Sequence, residues 1–116
     1  MLSERTRAGF SDIAAAIRHI QAWAAAAGGA EKALADPMVR SAIERQLLIV
    51  SEAAIRIDRA QPGSAGGACS RRRLGCVRGM GNALRHRYDA LDSNVILDVI
   101  VARLDLLLNA VQAALS

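Results

Sequence analysis

Three stretches of this chain repeat apolar residues every three or four positions, the spacing of an amphipathic α-helix, and start or stop signals bound each one. In the first, predicted from about Glu4 to Ala27, the residues Phe10, Ile13, Ile17, Ile20 and Ala24 fall on one stripe. Gly28 and Gly29 then end it, because glycine tolerates the left-handed backbone that closes helices. A short and potentially helical connector, Glu31 to Ala35, leads to Asp36-Pro37. An Asp cap followed by Pro in the first helical position is a clear start. The second helix is predicted to run to about Arg59, with Val39, Ile43, Leu47, Val50, Ala54 and Ile57 inward. Leu48, Ile49 and Ile55 add apolar surface off that stripe, which favours a helical partner or a homodimer. The last helix, capped by Asp92 or Ser93, is predicted to reach the C-terminus. Ile96, Ile100, Leu104, Leu107, Val111 and Leu115 form its stripe, and Leu97, Val101 and Leu108 widen it.

Between the second and last helices the pattern changes. From Gln61 to Gly75 the periodicity gives way to Pro, Gly, Ser, Ala and Arg, a loop of about fifteen residues that is long for a compact domain. Val77 to Ala90 reads as a short helix with Met80, Leu84 and Tyr88 on one face. Asn82 and His86, four apart, are neighbours on another face, with Arg78 one further turn back. The expectation is therefore an all-α fold: an up-and-down bundle of three long helices plus one or two short ones, a single domain over residues 1–116.

Composition supports helices over sheets. Of 116 residues 53% are hydrophobic, yet only three are aromatic and 24 are Ala, so the core is aliphatic and its helices lie close. The apolar content is too high for intrinsic disorder. No apolar run approaches the roughly 20 residues that a membrane span needs. The charged start, Met1-Leu2-Ser3-Glu4-Arg5, is not a secretory signal. A soluble, cytoplasmic protein without a membrane partner is expected.

Charge is unevenly spread. The net is +4, and residues 59 to 88 hold seven Arg (59, 71, 72, 73, 78, 85 and 87) with no Asp or Glu. The rest of the chain carries eight basic and eleven acidic residues. Such a block attracts phosphate, since a guanidinium fork grips two phosphate oxygens at once. The competing reading is a solvated, Arg-rich loop. Cys69 and Cys76 lack zinc spacing, and His19 and His86 form no ligand pair, so neither a metal nor a cofactor is expected. His19 lies off the stripe of its helix and reads as a surface or interface residue.

The segment Gly79 to Asp89 gathers an imidazole, flanking guanidiniums, an amide and a phenol. An imidazole beside Arg suits phosphodiester cleavage: it moves the proton of a ribose 2′-hydroxyl while the guanidinium stabilises charge on the phosphorane. No metal is needed for that step. The bland alternative is a helix with solvated Arg and a bystander His.

Four segments in order resemble the HepT-like branch of the HEPN superfamily, small all-helical ribonuclease toxins encoded beside a minimal nucleotidyltransferase antitoxin. They are Arg7, Phe10, Asp12-Ile13, Ala16-Ile17 and Ile20 in the first helix; Asp36 to Ile57, with Ile43-Glu44-Arg45 and Ser51-Glu52-Ala53-Ala54; Arg78-Gly79-Met80 with Asn82, Leu84, His86, Tyr88 and Asp89; and the closing helix from Val95. The resemblance implies a homodimeric endoribonuclease acting on RNA. His86 would be its base and Asn82 a polar companion, Arg85 would supply charge, and Arg78 and Arg87 would bind phosphate. It also implies that Tyr88 is the residue modified with AMP by the nucleotidyltransferase. The family's motif Arg, which normally precedes the Asn, is here Gly81. That departure keeps a second expectation open, a non-catalytic helical module that binds a nucleotidyltransferase. A third is plain nucleic-acid binding through the Arg block, with steep salt dependence and no need of His86.

Overall fold

The computed structural model describes residues 2–60 and 93–116. They form α1 (Glu4–Ala26), α2 (Ala30–Ala35), α3 (Pro37–Ala60), α4 (Ser93–Asp98) and α5 (Leu104–Leu115). A π-helical turn, Val99–Arg103, joins α4 to α5 in one continuous closing helix. There is no strand among the described residues. The fold is the all-α helical bundle expected.

Local signals set the ends. The Ser3 hydroxyl caps α1 by accepting from the Thr6 N–H at 3.1 Å. At its other end Gly28 and Gly29 adopt φ of 95° and 133°, and their N–H groups donate to Ala25 and Ala24. This is the paired closure that a left-handed glycine permits. Asp36 caps α3 as expected, its carboxylate accepting from the N–H of Met38 at 2.9 Å and of Val39 at 3.4 Å. The cap expected for the last helix falls on residues 92 and 93, where the described segment begins, and Asp92 lies outside the described residues.

The stripe of α1 is buried throughout: Phe10, Ile13, Ile17, Ile20 and Ala24. It serves two neighbours at once. Along one flank Gly9 meets Ile57 and the Ala53 carbonyl, so α3 runs antiparallel to α1. On the other, Gln21 Nε2 donates to Asp105 at 2.6 Å and Arg7 donates to the Leu115 carbonyl at 3.2 Å, so the closing helix is antiparallel to α1 as well. Ile43, Leu47, Val50, Ala54 and Ile57 are buried in α3, while Val39, near its first turn, is half-buried.

The closing helix departs from the even α period. In the π turn the Leu104 N–H donates to the Val99 carbonyl, five residues back. Val99, outside the expected stripe, becomes fully buried beside Ile100 and Leu104. Val101, expected to widen the apolar face, is instead 66% exposed, because the wider turn carries it outward. Leu115 is half-buried at the end of the chain. The same turn lets Arg103 reach Asp98 at 3.2 Å; in a regular α-helix residues five apart sit about 140° apart.

Two outcomes are expected. A Cβ at Gly9 would stand 2.7 Å from Ile57 Cγ1. Gly9→Ala gains about 1 kcal/mol of helix propensity but incurs about 1–3 kcal/mol of overpacking. It should therefore lower stability, and in a denaturation cycle Gly9→Ala with Ile57→Ala should cost less than the sum of the single changes. Deleting Val101 should convert the π turn to an α turn. The buried residues from Ile96 to Val111 then keep a helical spacing of i, i+3, i+4, i+7, i+10 and i+14, so the melting temperature should change little. Deleting the exposed Arg45 in the regular part of α3 rotates the rest of that helix by about 100° and should abolish cooperative unfolding.

Candidate functional site

The chemistry expected from the sequence is concentrated in residues 78–88, and His86, Asn82, Arg85, Arg78, Arg87 and Tyr88 all lie outside the described residues. So do the Gln61–Gly75 loop, the Arg71–Arg73 triplet, Cys69 and Cys76. What the structure brings together is the frame from which that segment departs and to which it returns. Ala60 ends α3 at the end of the bundle where Gly9 meets Ile57. Ser93 begins α4 at the other end, where Asn94 and Leu97 share a cleft with Glu31, Leu34 and Ala35. The two flanking residues thus stand near opposite ends of α1, which is about 35 Å long.

The family-like residues of α1 and α3 have structural occupations. Arg7 donates to the Leu115 carbonyl at the end of α5, and Asp12 pairs with Arg56 at 2.9 Å across α1 and α3. Phe10, Ile13, Ala16, Ile17 and Ile20 are core. Of the family-like polar residues on α3, Glu44 is held by Arg40 at 2.9 Å, Arg45 is exposed and Glu52 is half-buried. His19 is exposed, as expected, and stacks on Trp23 with ring centroids 5.5 Å apart. Among the described residues no three of His, Cys, Asp or Glu gather to hold a metal ion.

Sequence reasoning missed two features here. The Arg40–Glu44 pair had a readable signal, opposite charges at i and i+4 on one helix. Ser51 had none: it is fully buried on α3, and its hydroxyl has no hydrogen-bond partner among the described residues. A helical Ser reads as a polar surface position until the packing around it is known.

A family model described as ribonuclease HepT-like matches residues 13–114. The chain belongs to the HepT-like ribonuclease family. It matches no curated protein and no solved structure. The HepT-like match begins at Ile13 inside α1 and ends at Ala114 in the last turn of α5. It takes in the whole segment from Arg78 to Asp89, so the His86 motif lies inside the HepT-like region.

Because the Ser51 hydroxyl is buried without a partner among the described residues, its removal should relieve a desolvation cost of about 1–3 kcal/mol and leave a methyl group in its place. Ser51→Ala should unfold at an equal or higher denaturant concentration than the parent chain, and a clear drop in the midpoint would show that the hydroxyl is engaged.

Proposed function

We propose that this HepT-like chain is a metal-independent endoribonuclease, the toxin of a toxin–antitoxin pair. The observation that carries the reading is the family match across residues 13–114, which spans the segment that holds His86 and Tyr88. His86 acts as the base on a ribose 2′-hydroxyl, with Asn82 as its polar companion, and the products carry cyclic phosphate ends. Arg85 stabilises charge on the phosphorane, and Arg78 and Arg87 hold the neighbouring phosphates. The working unit is a homodimer in the cytoplasm, each subunit a single domain, with the two His86 segments facing one RNA cleft. The partner is a minimal nucleotidyltransferase, which silences the toxin by placing AMP on Tyr88, adding bulk and negative charge beside the site.

One residue favours a second reading. Gly81 stands where relatives carry the motif Arg, and a chain without that guanidinium fits a non-catalytic module that docks the nucleotidyltransferase.

Purified protein incubated with mixed RNA and excess chelator separates the two. Cleavage that leaves cyclic phosphates, and that falls about 10²- to 10⁴-fold in His86→Ala, is the expected result. Intact RNA with both proteins, each folded and dimeric, supports the docking module instead. Where cleavage is seen, co-incubation with the nucleotidyltransferase and ATP should silence the parent chain and leave Tyr88→Phe active. Equal silencing of both would place the modification elsewhere.

A further inference from the structure

We draw no further inference here: the strongest candidate, the apolar cleft between the last turn of α1 and the first turns of α3, lined by Trp23, Ala27, Met38, Val39 and Ala42, carries nothing because nothing in the structure shows what covers it.

Discussion

The approach of α3 to α1 at Gly9 is the contact on which the rest of the bundle depends. Helix axes pack 8–10 Å apart according to the side chains between them, and here one of those side chains is a hydrogen atom. Ile57 occupies the space that a Cβ would need, and the Ala53 carbonyl closes in beside it. Ala16, Ala53 and Ala54 are buried as well, so small side chains recur in the core of both helices. With Phe10 the one aromatic residue in the described buried core, closeness has to supply the contact that ring area would otherwise provide.

That closeness frees the other flank of α1 for the closing helix. Gln21–Asp105 and Arg7–Leu115 join exposed groups, so they contribute little to stability, and their effect is on register. They lie near opposite ends of α1 and hold α5 antiparallel along it. The π turn suits this arrangement. One wider turn lets Val99, Ile100 and Leu104 all face inward, and Val101 takes the outward position that results. Polar latches and a local change of helical pitch thus fix a helix that aliphatic stripes alone would leave free to slide.

The buried stripes, the glycine closure of α1 and the Asp36-Pro37 start of α3 were legible because each is a local pattern with a fixed period or a fixed cap geometry. Val99 and Val101 were not, because wheel reasoning assumes 3.6 residues per turn and a π turn breaks that count in the middle of the helix. Val39 and Leu115 lie on the right stripes, but helix ends have fewer neighbours to cover them. The Asp12–Arg56 pair joins residues far apart in sequence, and no local spacing announces it. For the site, the residues alone yield an imidazole among guanidiniums; the order of four segments along the chain is what pointed to the HepT-like family. Ser51 was named there only as part of a matching segment, and its burial emerges only from packing.

The frame and the motif segment differ in how their charges are used. Within the frame, Arg40, Arg56 and Arg103 each meet a carboxylate, and Arg7 meets the carbonyl end of α5, where a cation also opposes the helix dipole. Residues 59 to 88 carry seven Arg and no acid, so nothing within that block neutralises its field. This bears on Gly81. A single charge-stabilising donor is worth about 10²–10³ in rate and a positioned general base about 10²–10⁴. A motif without its Arg would forfeit the first factor and keep the second, which is the equal or larger share of the acceleration. Here Arg85 and Arg87 flank the imidazole in sequence and Arg78 precedes it, so the loss at position 81 occurs in the part of the chain richest in substitutes. On the proposed ribonuclease reading, what decides the rate is the reach of a guanidinium to the phosphate and not the supply of positive charge.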